Sequence, residues 1–527
     1  MKRLDILDST LRDGAQSEGI SFSLDDKLNI VRALDGLGVS HIEAGNPFSN
    51  PKDYEFFERA SVLNLKNAKL VAFGSTRKKG ASVGEDKNCI ALLSAGTPAV
   101  SLVGKAWDKQ VTQVLGAGLE ENLRMIGETV AFFKRAHKEV IFDAEHFFDG
   151  YKQNPSYAMA AIQAACEAGA DCVALCDTNG GCFPEEIARM TRAAVEALRC
   201  PVGIHCHNDM GCAVANTLLA VEAGAAQIQG TFTGIGERCG NTRLSTVIPS
   251  LQLKRGYGCI LPGQMGSLTK TARYIAEVSN MALGKFLPYV GKNAFAHKAG
   301  MHVDGVSKLE GAFEHIDPAR VGNKRNFLIS EVSGKAAVAA ELKKFAPELT
   351  KESPETGRVM GKLKELEYRG FQFESATASL ELLVKRELGM FTPFFKVEHF
   401  KIIGEQILEE EGYSSSALIK VSVGEQSEVS GAEGDGPVNA LDRALRKALE
   451  VFYPCLADMR LIDYKVRVME PKNATAAVVR VLIESTDGEN VWTTVGASKD
   501  IINASFLALT DSVEYKLMLA QGTGKTV

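Results

Sequence analysis

Short apolar runs recur through the first half of the chain at intervals of about thirty residues: 3–8, 39–44, 69–74, 99–103, 138–143, 171–176, 201–206 and 227–233. Their brevity and aliphatic content predict strands. Between them lie segments of helical length, among them 25–37, 120–137, 156–168, 184–198 and 211–223. Parallel strands need such helical crossovers, so eight alternations predict an α/β fold, a (β/α)8 TIM barrel whose eighth strand closes the sheet. An open doubly wound sheet would use the same alternation. The polar positions favour closure. Arg12 and Asp13, Ser75, Asp143 and Glu145, Asp177 and Thr178, His205 and His207, and the 234–241 loop each follow the carboxyl end of a predicted strand. A barrel converges those ends on one face.

Beyond residue 260 the alternation lapses. The pattern there predicts helices near 267–281, 333–345 and 358–369, with a proline-containing turn at 346–358. From about 394 a new pattern begins and is duplicated: Asn439-Ala440-L-D-R-Ala444-Leu445 is echoed by Asn503-Ala504-S-F-L-Ala508-Leu509. Each copy follows strand-like runs, 396–403 and 417–423 in the first, 461–469 and 476–484 in the second. The organisation predicted is a TIM-barrel catalytic domain at 1–265, a mainly helical linker domain at 266–390, and a C-terminal α+β regulatory domain at 391–520 made of two βββα repeats. The interface between two such repeats is a usual place for a small effector, and a dimerisation module without ligand is the alternative. Ser414-Ser415-Ser416 reads as a solvated turn.

With 527 residues, 45% of them hydrophobic, the chain can bury large cores without staples. A formal net charge of −5 gives no reason to expect nucleic acid or an anionic membrane as partner. Eleven cysteines, odd in number and without paired zinc-finger spacing, fit a reducing cytoplasm. The opening M-K-R-L-D-I-L-D lacks the apolar core of a signal peptide, and no apolar run approaches the ~18 residues of a membrane span.

The candidate chemistry starts at G-I-H-C-H-N-D, residues 203–209, where strand alternation puts His205 and His207 on one face and Cys206 on the other. Two imidazoles need a third ligand, and Asp13 completes a two-histidine, one-carboxylate metal site with open positions. Mn, Mg, Co and Zn all suit such mixed donors. A cation there would act as a Lewis acid toward a carbonyl oxygen. Arg12 offers a bidentate fork to a carboxylate, so an α-keto acid would satisfy both groups; a surface ion pair with Asp13 is the plainer reading of Arg12. In T-G-I-G-E-R-C-G-N, residues 233–241, Gly234 and Gly236 let backbone amides approach a ligand, and with Glu237 and Arg238 they form a candidate cofactor-binding loop. Asn241 reads equally as a fourth, neutral metal ligand and as a turn cap. Glu145 is a candidate base or a salt-bridge partner, Asp143 a candidate substrate contact, and Thr178 a hydroxyl for a substrate carboxylate or a helix cap.

The motifs D-S-T-L-R-D-G-A-Q, H-C-H-N-D-M-G-C-A-V-A-N and G-I-G-E-R-C-G-N resemble those of the metal-dependent barrels that condense acetyl-CoA with α-keto acids, the 2-isopropylmalate synthase and homocitrate synthase family. The duplicated module with G-D-G-P-V-N-A at 434–440 is similar to that family's amino-acid-sensing domain. Ala15 in R-D-G-A-Q, T-N-G-G at 178–181 and the ending D-S-V-E-Y-K-L resemble its citramalate branch. The resemblance implies a Claisen-type condensation of acetyl-CoA with pyruvate. It further implies isoleucine as feedback effector and a homodimer in which His302, from N-A-F-A-H-K-A-G-M-H-V-D-G, works across the subunit boundary with Glu145. Read from the residues alone, His297 and His302 could equally be helix-surface histidines. Phe313, in F-E-H-I-D-P, departs from the tyrosine common in relatives and puts a phenol's role there in doubt. The alternatives are a 2-isopropylmalate synthase using 2-oxoisovalerate and an acyl-CoA carbon-carbon lyase.

Overall fold

The computed structural model describes residues 2–327, 338, 339, 342, 343, 346–350, 352–407, 412–469 and 477–522. The chain divides into two compact units, Met1–Phe295 with Ile316–Arg325, and Ala296–His315 with Asn326–Val527.

The first unit holds eight parallel strands closed into a barrel: β1 Asp5–Asp8, β2 His41–Glu43, β3 Lys69–Ser75, β4 Ala99–Lys105, β5 Glu139–Glu145, β6 Cys172–Asp177, β7 Val202–Cys206 and β8 Gln227–Gly230. Closure is made by β1 against β8, with Asp5 opposite Gln227 and Asp8 opposite Gly230. The crossovers carry α1 Leu24–Leu37, α2 Pro51–Ala60, α3 Lys87–Ser94, α4 Leu119–Arg135, α5 Phe147–Gln153, α6 Pro155–Glu167, α7 Pro184–Ala197 and α8 Ala213–Glu222. Local chemistry sets their ends. Ser23 and Asp26 form a reciprocal capping box on α1, and Gly38 closes that helix in the left-handed region at φ 92°. Asn154 caps α6, with Pro155 in its first turn. Aliphatic residues such as Ile30, Leu34, Ile126, Val130 and Ile187 turn inward onto the strands and build one large core. α10 (Leu268–Val278), which follows the short α9 (Leu244–Pro249), joins that core through Leu268, Ala272 and Ile275.

Cys166 and Cys200 lie side by side with Cα atoms 5.8 Å apart, a separation that a disulfide spans, although their spacing in the chain gives no hint of it. No helix among the described residues is long and apolar enough to cross a membrane.

The second unit begins with the short parallel pair β9 Ala296–His297 and β10 Asn326–Phe327 and the helix α11 Gly300–Lys308. α12 Pro354–Tyr368 and α13 Thr377–Glu387 follow. The expected turn at 346–358 is shorter than the sequence indicates, because Pro354 stands in the first turn of α12, where its missing N–H costs nothing. Most of the helix expected at 333–345 lies outside the described residues. The duplication is realised as two antiparallel three-stranded sheets, each followed by a helix. The first is β11 Lys396–Ile407, β12 Gly412–Val423 and β13 Gln426–Gly434, then α14 Pro437–Glu450; the second is β14 Arg460–Val468, β15 Val479–Thr486 and β16 Val491–Ser498, then α15 Ile501–Gly522. Leu441, Leu445 and Leu449 of α14 and Leu509, Val513 and Leu517 of α15 meet Ile419, Val421, Val481 and Ile483 in one shared core. Ser414–Ser416 is no turn. It lies within β12, and Ser415 is buried, since strand alternation overrides the turn preference of serine.

Candidate active site

The carboxyl ends of the barrel strands surround a cavity of about 240 Å³. Arg12 and Asp13 reach it because the chain turns tightly after β1, with the Thr10 amide donating to Asp8 Oδ1 at 2.9 Å and the Asp13 amide to Ser9 Oγ at 3.2 Å. His205 is on β7, and His207, two residues on, shares its face. A bridge between His207 and Asn241 registers the glycine loop onto that strand end.

Asp13, His205 and His207 are buried, and each offers a ligand atom within 4.8 Å of the other two. His205 Nε2 lies 3.4 Å from Asp13 Oδ2. Asn241 Nδ2 sits 3.1 Å from His205 Nε2 and 3.2 Å from Asp13 Oδ2, so the sequence-predicted fourth member is in contact with two of the other three candidates. Two buried atoms of this group have no hydrogen-bond partner among the described residues: His207 Nδ1 and Asn241 Oδ1. A half-turn of the carboxamide exchanges its oxygen and nitrogen. One carboxylate, two imidazoles and a carboxamide with idle acceptors fit a divalent cation.

The electrostatics agree with that donor set. Burial alone would raise the Asp13 carboxyl, but the Arg12 guanidinium and both histidines outweigh it and hold it well below the usual carboxylate range. Burial and the neighbouring His205 push His207 down to about 4, which keeps it neutral and able to donate a lone pair.

Arg12 is not the surface ion pair that the sequence also allowed. Its Nε donates to Glu43 Oε2 at 2.6 Å, its Nη1 lies 3.2 Å from Asp13 Oδ2, and its guanidinium stacks on Phe73 at 4.0 Å from the ring centroid. Nη2 has no partner among the described residues, and Arg12 lines the cavity. Glu145 and Thr178 also line the cavity. Glu145 is ion-paired with Lys105. Thr178 does not cap a helix; its hydroxyl accepts the His146 amide at 2.8 Å, which leaves its proton free. Asp143 reaches the cavity floor with both oxygens engaged, accepting from Ser101 Oγ at 2.5 Å and from Gln229 Nε2 at 2.8 Å. Burial and, after it, Glu43 push its carboxyl up to about 6.

In the glycine loop, Gly234 needs its left-handed φ of 84°, whereas the Gly236 amide donates to Ser17 Oγ at 2.6 Å. Glu237 and Arg238 line the cavity, but the Arg238 side chain is largely committed, donating to Asp209 at 2.8 and 3.1 Å and to the Thr178 carbonyl at 2.8 Å. His302 belongs to the second unit, where it stacks on Phe313 with ring centroids 4.1 Å apart. Nearby His297 is no helix-surface residue: it is buried on β9 and pairs with Glu314 at 3.0 Å.

Sequence reasoning missed Glu43, Phe73, Ser101 and Gln229. The acid in S-H-I-E-A and the amide in A-Q-I-Q-G, polar groups inside apolar strands, were the available signals.

Comparison with known proteins gives a consistent result. Residues 3–275 match the HMGL-like family, residues 289–370 the homocitrate synthase post-HMGL domain-like family, and residues 374–517 the LeuA allosteric (dimerisation) domain. The chain is 50% identical over 520 residues to the (R)-citramalate synthase of Aquifex aeolicus, covering 98% of each chain. It is 46% identical over 517 residues to that of Geobacter sulfurreducens, again covering 98% of each. A probable 2-isopropylmalate synthase of Methanopyrus kandleri is 32% identical over 513 residues, covering 97% of this chain and 98% of its own.

Proposed function

The chain belongs to the (R)-citramalate synthase family, and from that premise we propose that it condenses acetyl-CoA with pyruvate to give (R)-citramalate and CoA in isoleucine biosynthesis. The observation that carries the reading is the buried cluster of Asp13, His205 and His207 beside an arginine with a free Nη2, all at the carboxyl face of a closed barrel. Two relatives named as isopropylmalate synthases are 32% identical, against 44–50% for five named (R)-citramalate synthase. The LeuA-type module argues against a simple lyase.

Asp13, His205, His207 and Asn241 would hold the divalent ion, which supplies Lewis acidity toward a keto oxygen when bound. Arg12 faces the negative charge that grows on that oxygen, and Glu43 and Phe73 fix its plane for the task. Glu145 takes a methyl proton from the acetyl thioester, its ion pair with Lys105 holding it in the cavity wall. The resulting carbanion forms a bond to the keto carbon of pyruvate, the keto oxygen takes a proton, and water then cleaves the thioester to release CoA as its thiol. Thr178 donates its free hydroxyl proton to the substrate carboxylate. Phe73 and Val103 wall the cavity and suit a substrate whose side chain is one methyl group. A second cavity of about 350 Å³ shares Arg12, Gln16 and Phe73 with the first and gives the thioester arm room, and the loop of Gly234, Gly236, Glu237 and Arg238 lines the first cavity through Glu237 and Arg238. His302 of a second protomer completes the site in trans.

The C-terminal module is the regulatory part of this reading. A cavity of about 420 Å³ lies between the repeats, with Val438, Asn439 and Asp442 of α14 facing Leu461 and Tyr464 of β14, and it is the proposed isoleucine site. The outer face of the first sheet exposes Ile403, Leu418 and Val429, and the strand β14 of the second exposes Ile462, Val466 and Val468, apolar surface that a second copy would cover in a homodimer.

The deciding experiment follows CoA release with acetyl-CoA and, in turn, pyruvate, 2-oxoisovalerate and 2-oxoglutarate, with Mn, Mg, Co or Zn supplied to the chelator-stripped enzyme. A clear preference for pyruvate is expected, and its lack defeats the substrate assignment.

A further inference from the structure

We infer that Gln229 is the positioning residue of the cation site: it orients the His205 ring so that Nε2 faces the ligand cluster. The inference rests on the reading of Asp13, His205 and His207 as cation ligands. Gln229 on β8 is paired in register with His205 on β7, so both side chains point into the barrel at the same level. Its Oε1 lies 3.0 Å from His205 Nδ1. An amide oxygen can only accept there, so the bond requires the proton on Nδ1 and leaves Nε2 with its lone pair toward Asp13 and Asn241.

The amide itself has one permitted orientation. Gln229 Nε2 donates to Asp143 Oδ1 at 2.8 Å and to Gln227 Oε1 at 3.2 Å, which uses both of its hydrogens. The reversed amide would set its oxygen against those two oxygens and leave them without a donor. Asp143 is anchored in turn by the Ser101 hydroxyl at 2.5 Å. Ser101, Gln227 and Gln229 are no more than 3% exposed, so water does not compete for these bonds. A column of side chains, Ser101 to Asp143 to Gln229 to His205, thus runs inside the barrel beneath the ligands. Partners of this kind, one bond removed from the ion, set ring orientation and ligand basicity.

Zinc titration of the chelator-stripped full-length enzyme tests this. Q229M keeps the length of the side chain but cannot accept, and its zinc affinity is expected to fall about 10- to 100-fold. In Q229E the second carboxylate oxygen meets Asp143, so this variant alone is also weakened. Adding D143N turns that contact back into a donor and acceptor pair and is expected to restore affinity, a rescue that mere loss of packing would not show. The third readout is made on the intact column of wild type, with one variant used only for assignment. In zinc-loaded wild type labelled with nitrogen-15 histidine, with His205 assigned by its disappearance in H205N, the Nδ1 proton should exchange slowly and resonate downfield. Zinc binding by Q229M equal to wild type, a double variant no tighter than Q229E, or a wild-type His205 carrying its proton on Nε2 overturns the inference. Failure of wild type itself to bind zinc at this site overturns the underlying cation reading instead.

Discussion

Replacing Gly236 by alanine tests the place of Asn241 in the site. A Cβ built on Gly236 lies 1.8 Å from Asn241 Oδ1 and 3.0 Å from its Cγ. Non-bonded carbon and oxygen need about 3 Å at the least, so one partner must recede by more than about 1 Å. The loop cannot easily be that partner, because Ser17 Oγ holds both the Gly236 amide, at 2.6 Å, and its carbonyl, at 2.8 Å. The carboxamide therefore leaves its position beside Asp13 and His205. Ligand distances in metal sites tolerate only about 0.2 Å, and a misplacement of about 1 Å costs roughly 100-fold in rate. The expected result is a fall of about 100-fold in kcat/KM, about 2.7 kcal/mol, with weaker metal binding and an unchanged fold by circular dichroism. Gly181→Ala is the control, since its Cβ would meet nothing within 4 Å, and it should behave as wild type. Wild-type metal affinity and kcat/KM in Gly236→Ala would remove Asn241 from the ligand set.

The other predictions concern the ligands, the arginine, a buried acid and the effector cavity. His207→Ala should lose at least about 100-fold in metal affinity, measured by titration calorimetry, and most of its activity. Arg12→Lys should keep the metal and lose about 100-fold or more in kcat, because a point charge cannot both pair with Glu43 and face the substrate; full activity would take Arg12 out of the mechanism. Asp8 is fully buried, and burial, with Glu43 adding to it, raises its carboxyl from the ordinary 3.8 to about 7. A carboxyl that gains its proton on folding stabilises fully below pH about 4, and this contribution is lost as pH rises through about 7. Denaturant unfolding followed at Trp107 should therefore show wild type losing about 2.5 kcal/mol between about pH 5 and 8 that Asp8→Asn does not lose; the same slope in both refutes it. Val438→Trp fills the cavity between the repeats and should raise the isoleucine concentration for half-inhibition at least about tenfold while the uninhibited rate stays the same.

What the sequence made legible follows a physical rule. Strand and helix periods were readable because each barrel strand is a short apolar run and each crossover helix buries one stripe, as Ile30, Leu34 and Leu37 do in α1. Residues at or just past the strand ends, Arg12, Asp13, Glu145, His205 and His207, were readable because polar groups at that position have a common destination in a closed barrel. Glu43, Ser101 and Gln229 were not, because they point into the barrel from inside strands, and which polar residues share a level there depends on the stagger of all the strands. Ser414–Ser416 misled for the converse reason: a turn-like composition was overruled by pairing on both sides of β12. The partnership of Arg12 with Glu43 requires β1 and β2 to be neighbours, which the alternation implies but no spacing in the chain reveals.

The interior residues also explain why the site calls for a cation. Asp8, Asp13, Glu43 and Asp143 are all buried at this end of the barrel, and the cation that pairs with two of them is the partly buried Arg12. Glu43 and Asp13 share its guanidinium, Asp8 responds to the surplus by holding its proton up to about 7, and Asp143 is pushed up to about 6. Buried carboxylates in such excess are costly unless something positive joins them. Burial and the neighbouring imidazole keep His207 neutral, so the histidine pair does not supply that charge in full. A divalent ion beside Asp13 would, at a point where two atoms without partners among the described residues, His207 Nδ1 and Asn241 Oδ1, belong to the surrounding donor set. The same charge that would relieve the carboxylates would then be available to a keto oxygen placed against Arg12, which gives the polar barrel core and the proposed chemistry one electrostatic cause.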